Sequence, residues 1–240
     1  MSERFPIVIL AGGMGTRVAK VANGLPKALI PIAGEPFIAH QLRLLRQHQF
    51  EHVVLCTGYG GDALQAFVGD GSQFGLSVSY AQDGKTLRGT GGALCAALPA
   101  LPEYFFVMYG DSYLRCNYAA IQNTYETSGK LGLMTIYKNN NQFDSSNVEY
   151  DGGKIICYSK KNKTAAMRYI DYGLNIFSKA AFASLARAQG NLLSFDLSLL
   201  HEYLVKTNEL AAFEVTERFY EIGSVAGLTE FKQELISKPF

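Results

Sequence analysis

Short apolar runs and amphipathic stretches alternate along the first third of the chain. Residues 7–10 and 52–56 are mostly apolar and are typical of buried strands. Between them, residues 37–49 place apolar side chains at helical spacing among polar ones, which predicts an amphipathic helix. Residues 62–68 then indicate a helix and residues 76–80 an alternating strand. Strand, helix, strand and helix joined by short connections predict a parallel sheet covered on both faces.

The rest of the chain continues this alternation and adds a hairpin. The apolar and aromatic residues 104–109 predict a central strand. Residues 147–158 predict a short hairpin that turns at residues 151–153. Ser194 or Asp196 is the expected cap of one late helix. The other expected elements are helices at residues 92–98, 117–127, 178–188 and 196–206, strands at residues 131–137 and 169–177, and a closing strand, turn and helix within residues 218–231.

A glycine-rich turn directly follows the first strand, in the sequence LAGGMGTR at residues 10–17. Glycine lets the backbone approach a bulky anion closely, and a phosphate is the natural occupant. Arg17 would hold that phosphate by a two-pronged contact, and Lys27 would act as a point charge. Similar turns occur at many strand-to-helix junctions that bind nothing. This turn also lacks the GxGxxG spacing of dinucleotide-binding proteins and the GK[ST] of nucleoside-triphosphatase loops.

Two further stretches place candidate chemistry near the ends of predicted strands. In the loop AQDGKTLRGTGGAL, residues 89–92 introduce a helix whose first backbone N–H groups can face a nucleotide. A flexible connection capped by Thr90 is the alternative. Asp111 ends the central strand in the sequence YGD, where a hard carboxylate oxygen suits magnesium. The alternative for Asp111 is an aspartate that stabilises a turn or caps a helix.

Length and charge narrow the function classes. With 240 residues and a formal net charge of +1, the chain can bury one core, and its charge favours neither nucleic acid nor an acidic membrane surface as a partner. No apolar stretch reaches the roughly 20 residues of a membrane span, and we expect no signal peptide before the first strand. The four cysteines have no CxxC spacing, so reduced thiols and a cytoplasmic setting are expected.

The joint pattern of these motifs resembles the sugar-1-phosphate nucleotidyltransferases, in order over nearly the whole chain. The matching segments are GGMGTR, the PK pair at Lys27, LRGTGGAL, YGD and EIGSVAGL. The resemblance implies an α/β, Rossmann-like three-layer α/β/α nucleotidyltransferase fold. A mostly parallel central sheet and a small β-hairpin subregion on the sugar side belong to that fold, in a single domain over residues 1–240. The implied enzyme uses Mg²⁺ to join a nucleoside triphosphate to a sugar 1-phosphate, and it releases pyrophosphate.

The same resemblance implies a role for each candidate residue. Arg17 would hold the triphosphate, and Lys27 would bridge the α-phosphate and the sugar phosphate. Asp111 and Glu221 would hold Mg²⁺. No general base is needed, because a sugar phosphate is already ionised at neutral pH. The implied sugar contacts are Asn147, Lys161 and Asp171, and the implied nucleotide contacts are Leu10, Ala11, Gly12, Gly13, Gly15, Thr16, Gln82, Asp83, Gly89, Thr90, Gly91 and Gly92.

The chain departs from the family's pattern at three positions that bear on these roles. Arg88 is inserted where the family goes from leucine directly to glycine. Lys160 stands where the family has an acid before the sugar-phosphate lysine, so a surface lysine is the alternative for Lys161. Glu221 replaces the family's second metal-binding aspartate, and its extra methylene moves the carboxylate by roughly one carbon–carbon bond.

Several readings of the function remain open at this point. The short length, the LRGTGGAL loop and residues 194–196 look most like the heptose-1-phosphate guanylyltransferases of bacterial surface-polysaccharide pathways, with single-domain uridylyltransferases as the alternative. A silent nucleotide-sugar regulatory subunit is a rival that the presence of Lys27 and Asp111 disfavours. The absent GxGxxG disfavours an oxidoreductase. The sequence does not set the oligomeric state, and a homodimer is compatible with it.

Overall fold

A computed structural model describes residues 3–13, 15, 18, 22, 24–83 and 88–237. Over these residues the chain has an α/β fold with thirteen strands and seven α-helices. The strands are β1 (Ile7–Leu10), β2 (Pro31–Ile32), β3 (Glu35–Pro36), β4 (His52–Thr57), β5 (Ser77–Gln82), β6 (Tyr104–Tyr109), β7 (Ser112–Tyr113), β8 (Gly132–Lys138), β9 (Val148–Asp151), β10 (Lys154–Tyr158), β11 (Tyr169–Ser178), β12 (Leu210–Val215) and β13 (Tyr220–Glu221). The helices are α1 (Phe37–Gln47), α2 (Gly61–Val68), α3 (Gly89–Ala97), α4 (Tyr118–Ser128), α5 (Lys179–Gln189), α6 (Ser198–Lys206) and α7 (Val225–Ser237).

The chain divides into two compact units, each built from separate stretches of sequence. Unit 1 contains Met1–Phe5, Arg88–Val107 and Cys116–Arg218, and unit 2 contains Pro6–Leu87, Met108–Arg115 and Phe219–Phe240. Strand β6 gives its first four residues to unit 1 and its last two to unit 2. The expected single domain over residues 1–240 stays a prediction.

Unit 2 contains the parallel strands that the sequence predicts. β4 lies between β1 and β5 and pairs in parallel with both, with Cys56 opposite Leu10 on one side and Ala81 on the other. The β1 residues Ile7, Val8 and Ile9 are fully buried, as an apolar run between covering layers requires. Phe37 of α1 and Phe231 of α7 meet edge to face, with ring centroids 5.3 Å apart. α7 thus packs on α1 in the core of unit 2.

Unit 1 has a mixed sheet. The strand order is β10, β9, β11 and β6; β8 pairs antiparallel with β11, and β12 pairs in parallel with β8. β9 and β10 form the predicted hairpin, with Gly152 and Gly153 at positive φ in its turn. Thr135 and Asn175 are fully buried polar residues on these strands, and each has a partner: Thr135 Oγ1 donates to the Leu174 carbonyl, and Asn175 Oδ1 lies 3.1 Å from His201 Nε2.

The structure adds elements that the sequence pattern does not predict. β12 is absent from the expectations because LAAFEV is a weak alternation with two alanines. The two-residue strands β2, β3 and β7 are too short to show any period, and they exist because of their pairing. β13 (Tyr220–Glu221) is the predicted closing strand. α3 begins at Gly89 rather than residue 92, and α6 begins at Ser198 rather than residue 196. Within the part of the chain that the structure describes, no helix is long and apolar enough to cross a membrane.

Candidate active site

The turn after β1 is held against the turn after β4. The backbone N–H of Ala11 donates to the Cys56 carbonyl at 2.9 Å, and Tyr59 N–H donates to the Gly12 carbonyl at 3.4 Å. Gly12 and Gly58 are in close contact, because a Cβ added to Gly58 would lie 2.8 Å from the Gly12 carbonyl oxygen. Two glycines are therefore required for the two turns to lie side by side. Backbone contacts thus hold the turn after β4 beside the predicted phosphate turn.

The end of β6 approaches the same turn from the other side. Gly110 N–H donates to the Leu10 carbonyl at 3.0 Å, and a Cβ at Gly110 would lie 2.5 Å from that oxygen. Only glycine fits at this distance, since backbone atoms cannot move aside as a flexible side chain can. Asp111 follows directly. The close approach at Gly110 therefore places Asp111 beside the first turn, although the two are a hundred residues apart in sequence.

Lys27 and Asp111, two of the predicted catalytic residues, form an ion pair. Lys27 begins a short 3₁₀ helix behind Pro26, and its Nζ lies 2.8 Å from Asp111 Oδ2. The two side chains are 17% and 27% exposed, so the pair is shielded but still reachable from solvent. Gly15 packs on this lysine, because a Cβ there would lie 3.3 Å from Lys27 Cβ. The structure thus brings the ammonium, the carboxylate and the glycine-rich turn together within unit 2.

Two contacts fix the backbone around Asp111. Ile222 N–H donates to the Asp111 carbonyl at 2.9 Å, and Gln41 Nε2 donates to the Ser112 carbonyl at 2.8 Å. Gln41 is only 1% exposed. Sequence reasoning missed Gln41, whose one signal is a polar side chain among the apolar positions of α1. Its contact makes it a positioning residue for the turn that carries Asp111.

Glu221 lies on a strand that pairs with the residues directly after Asp111. β13 pairs with β7 so that Glu221 is opposite Ser112. Its carboxylate accepts hydrogen bonds from Gly223 N–H and from Ser224 Oγ, the latter at 2.6 Å, and a Cβ on Gly227 would overlap it. Glu221 therefore supports the start of α7, and a carboxylate that accepts two hydrogen bonds still has lone pairs for a further partner.

The donor set fits a magnesium ion held mostly by its substrate. Among the described residues there is no group of three or more His, Cys, Asp or Glu that could hold a metal. Mg²⁺ in nucleotide sites is usually bound by one or two carboxylates plus substrate phosphates, and keeps several waters. Asp111, with its partly exposed carboxylate, and Glu221, on the strand that pairs with β7, are the two predicted metal ligands, and both lie in unit 2.

Gln82 and Asp83, two predicted nucleotide contacts, end β5. Gln82 is exposed and pairs with Thr57, whereas Asp83 is buried and its N–H donates to the Thr57 carbonyl at 2.9 Å. Asp83 Oδ2 would lie 3.3 Å from a Cβ at Gly12. Burial raises the pKa of the neighbouring Cys56 thiol to about 12, and the Asp83 charge adds to that rise. Asp83 thus adds negative charge behind the first turn.

The second glycine-rich turn, in unit 1, contacts another segment of the same unit. Gly91 and Gly92 N–H both donate to the Phe195 carbonyl, at 2.9 and 3.3 Å. Thr90 Oγ1 accepts from Leu197 N–H at 2.8 Å, and a Cβ on Gly91 would overlap the Phe195 ring. Sequence reasoning assigned these glycines to a nucleotide and missed Phe195. The only signal for Phe195 was the resemblance of residues 194–196 to one branch of the family.

The predicted sugar contacts in unit 1 fall into two places. Asn147 Oδ1 accepts from Asp171 N–H at 2.9 Å, and Asp171 Oδ1 accepts from Gly173 N–H at 3.0 Å, so these two side chains lie together on neighbouring strands. Lys161 is exposed, with its N–H donating to Ser159 Oγ at 3.3 Å. The preceding Lys160 instead forms an ion pair with Asp196 at 2.8 Å.

The remaining predicted residues belong to the first turn and differ in how far they are exposed. Leu10 and Ala11 are partly buried, and Gly13 is exposed with no atom within 4 Å of an added Cβ. Thr16 and Arg17 lie outside the described residues, so their predicted roles rest on the sequence.

Comparison with known proteins gives a consistent result. A family model described as nucleotidyl transferase matches residues 7–238. A UTP–glucose-1-phosphate uridylyltransferase of Synechocystis sp. is 27% identical over 79% of this chain and 53% of its own length. A mannose-1-phosphate guanylyltransferase of Mycobacterium tuberculosis is 40% identical over 36% of this chain and 24% of its own length. The chain thus spans about half of the first relative and a quarter of the second.

Solved structures share the fold. HddC from Yersinia pseudotuberculosis, complexed with GMP-PN, superposes with a TM-score of 0.77 over 96% of this chain and 99% of its own, at 21% identity. The predicted fold class, α/β with a mostly parallel central sheet, is therefore confirmed.

Proposed function

Because the chain belongs to the nucleotidyl transferase family, we propose that it transfers a nucleotidyl group from a nucleoside triphosphate to a sugar 1-phosphate. The observation that carries this proposal is the ion pair of Lys27 and Asp111, 2.8 Å apart, beside a turn whose glycines admit close backbone approach. Ammonium and carboxylate at a glycine-rich turn are the parts that phosphoryl chemistry needs, since it depends on positioning and charge neutralisation.

The proposed reaction balances without a general base. An oxygen of the sugar phosphate bonds to the α-phosphorus, the bond from that phosphorus to the α–β bridging oxygen breaks, and pyrophosphate leaves with both bonding electrons. The two reactants are anions that repel each other. Lys27 would neutralise the α-phosphate and the incoming sugar phosphate, and Arg17 would hold the triphosphate and the departing pyrophosphate.

Asp111 has two functions in this proposal. Its carboxylate keeps the Lys27 ammonium at the site, and with Glu221 it would hold Mg²⁺. When bound, Mg²⁺ supplies positive charge to the phosphate oxygens and so stabilises the charge that develops on them. Ile222 N–H and Gln41 Nε2 hold the carbonyls of Asp111 and Ser112, so the backbone that carries this carboxylate is kept in one position.

For the substrates we propose a guanylyltransferase of a heptose or hexose 1-phosphate, acting in the cytoplasm in the synthesis of surface polysaccharides. Its support is the resemblance of the LRGTGGAL loop and residues 194–196 to heptose-1-phosphate guanylyltransferases, and the guanylyltransferase name of the Mycobacterium relative. The uridylyltransferase name of the Synechocystis relative favours the alternative base. A regulatory subunit without catalysis is the second alternative.

The experiment is a screen for pyrophosphate release. Each of the four nucleoside triphosphates is combined with a panel of hexose and heptose 1-phosphates and Mg²⁺, with EDTA as the control. We expect release that depends on both substrates and stops with EDTA. GTP with a heptose 1-phosphate would support the proposed branch, and UTP would support the alternative. Nucleotide-sugar binding with no release for any pair would favour the regulatory subunit.

A further inference from the structure

We propose that the 193–197 segment of unit 1 positions the predicted nucleotide turn at residues 88–92 and that Asp196 transmits this position to Lys160 on the predicted sugar side. In this role Phe195 and Asp196 are positioning residues, and the two substrates affect each other's binding through them. The proposal rests on the proposed function for the identity of the two ligands.

The first step is the hydrogen bonding between the two segments. The Phe195 carbonyl accepts from both Gly91 N–H and Gly92 N–H, and Phe195 N–H donates to the Arg88 carbonyl at 2.9 Å. Leu197 N–H donates to Thr90 Oγ1 at 2.8 Å. Two of these four bonds use the N–H groups of Gly91 and Gly92, in the first turn of α3. N–H groups in the first turn of a helix have no partner within the helix and can otherwise bind a ligand. The segment therefore determines where the turn lies.

The second step is the fit of the Phe195 ring. A Cβ on Gly91 would overlap the ring, and a Cβ on Gly89, which has φ +69°, would lie 2.6 Å from the Phe195 carbonyl oxygen. The glycines of the turn are thus needed to seat this segment. Gly92 is similarly close to the Leu193 carbonyl oxygen, at 2.7 Å from an added Cβ. A change at Phe195 would therefore move the turn itself.

The third step is the charge pair that leads away from the turn. Asp196 Oδ1 lies 2.8 Å from Lys160 Nζ and also accepts from Ser198 N–H at 2.8 Å. Burial alone would raise the pKa of this carboxyl, but the hydrogen bonds from Lys160 and Ser198 outweigh it and lower the pKa to about 2. The carboxylate is therefore charged throughout the neutral range and can attract the Lys160 ammonium there.

The fourth step is the packing at the end of β10, two residues before Lys160. Lys160 follows the end of β10 at Tyr158, which is 3% exposed and packs edge to face on the fully buried His201, with ring centroids 5.2 Å apart. Burial raises the pKa of Tyr158, and the charges of Asp171 and Asp196 add to that rise. Lys160 directly precedes the predicted sugar contact Lys161, so a phosphate or hydroxyl that engages Lys160 would act on its partner Asp196.

Nucleotide affinity, rather than turnover, is the direct readout. The dissociation constant of the α,β-methylene analogue of each of the four triphosphates, which cannot release pyrophosphate, is measured by calorimetry with Mg²⁺. We expect Gly91→Ala to weaken binding by about tenfold, because the added Cβ displaces the Phe195 ring and the turn with it. The double variant Gly91→Ala/Phe195→Ala should recover part of that loss, since the ring is gone.

Asp196→Asn and Lys160→Met test the transmission. Coupling free energies between sites are typically 1–3 kcal/mol, so we expect a sugar 1-phosphate at saturation to change analogue affinity by about fivefold or more in the wild type, and both variants to remove that change. Lys163→Met is the matched control, because this nearby lysine donates to a backbone carbonyl, that of Ser145, at 3.3 Å. Phe106→Leu controls for general loss of packing in unit 1.

The outcomes separate this proposal from the proposed function. Unchanged analogue affinity in Gly91→Ala, or no recovery in the double variant, would overturn the positioning role of Phe195. Coupling retained in both Asp196→Asn and Lys160→Met would overturn the transmission. Analogue binding that follows these expectations in a wild type without pyrophosphate release would refute the proposed reaction and leave the positioning proposal standing. No binding of any analogue would refute both.

Discussion

The two glycine-rich turns of this chain look alike in sequence but differ in the groups that pack against their glycines. In the turn at residues 10–15, Gly12 meets the backbone of Gly58, and the neighbouring Gly110 meets the carbonyl of Leu10. In the turn at residues 88–92, Gly91 meets the aromatic ring of Phe195, and Gly89 and Gly92 meet the carbonyls of Phe195 and Leu193. The glycines of the first turn let three backbone segments converge beside the ion pair of Lys27 and Asp111. The glycines of the second turn seat a single segment, residues 193–197, with the ring of Phe195.

The difference shows how far a glycine-rich turn can be interpreted by itself. Both turns satisfy the same sequence criterion, a cluster of glycines near a helix or strand end. Only the contacts show that one turn gathers charged groups, whereas the other has two of its N–H groups engaged by Phe195. We infer that unit 2 contains the groups that act on phosphate, and that the unit 1 turn depends on its own packing for its position.

The largest expected effect is on the charged pair of unit 2. Lys27→Ala and Asp111→Ala should each lower kcat by about 10³-fold or more, because each removes a group aimed at charge that develops in the transition state. Thermal unfolding should change little, since a partly exposed ion pair contributes at most about 1 kcal/mol. The measurement is pyrophosphate release with the best substrate pair, together with melting curves. Lys154→Ala, an exposed lysine of β10, is the control, and activity within tenfold of wild type in either variant would contradict the assignment.

The next effect is a dependence of stability on pH that comes from the buried His201 in unit 1. Burial, with the Lys160 charge, lowers the pKa of His201 from 6.5 to about 3, while Asp196 opposes the shift. The unfolded chain therefore binds one more proton than the folded chain between these values, so stability is present above pH 6.5 and is lost as the pH falls. The loss is up to about 1.4 kcal/mol per pH unit.

Urea unfolding at pH 7.0, 5.5 and 4.5 measures this loss. A His201→Gln variant should be less stable at neutral pH and should show a flatter dependence on pH over that range. Equal slopes for the variant and the wild type would show that His201 is not the group that titrates. Asp196, whose pKa is about 2, would enter only below about pH 4.

A paired substitution compares the two turns directly. Gly110→Ala should cost about 1–3 kcal/mol, because its Cβ would lie 2.5 Å from a backbone oxygen that cannot rotate away. Gly91→Ala should cost less, since a ring can turn aside. Gly13→Ala, whose Cβ would meet nothing within 4 Å, is the stability control within the first turn. If Gly91→Ala proves the more destabilising variant in urea, the proposed difference between backbone and side-chain contacts is wrong.

The smallest effect separates two roles of Glu221. Glu221→Gln keeps an oxygen that can accept from Ser224, so unfolding should change by no more than about 0.5–1 kcal/mol if the residue only supports the start of α7. A metal ligand would behave differently, because the lost charge should raise the magnesium concentration for half-maximal activity several-fold. The measurement is a magnesium titration of turnover. An unchanged titration would leave Glu221 with its structural role alone.

The sequence predicts most of the fold because its strands are continuous apolar runs. β1, β4 and β6 lie where the apolar runs predict them, and the convergence of their C-terminal ends predicts that Asp111 lies near the first turn. Gln41 and Phe195 could not be found in this way. Each acts through a partner 70 to more than 100 residues away in sequence, and neither belongs to a periodic pattern. Tertiary contact alone gives them their roles.

Phosphorus-31 NMR of one reaction mixture tests the central claim most directly. The wild-type protein is mixed with Mg²⁺ and equal amounts of the triphosphate and sugar 1-phosphate selected by the screen, beside a Lys27→Ala sample. We predict that pyrophosphate and a nucleoside diphosphate-sugar appear in equal amounts in the wild-type sample, and that neither product appears in the Lys27→Ala sample. Formation of orthophosphate and a nucleoside diphosphate instead, or equal product in both samples, would contradict a nucleotidyl transfer that depends on Lys27.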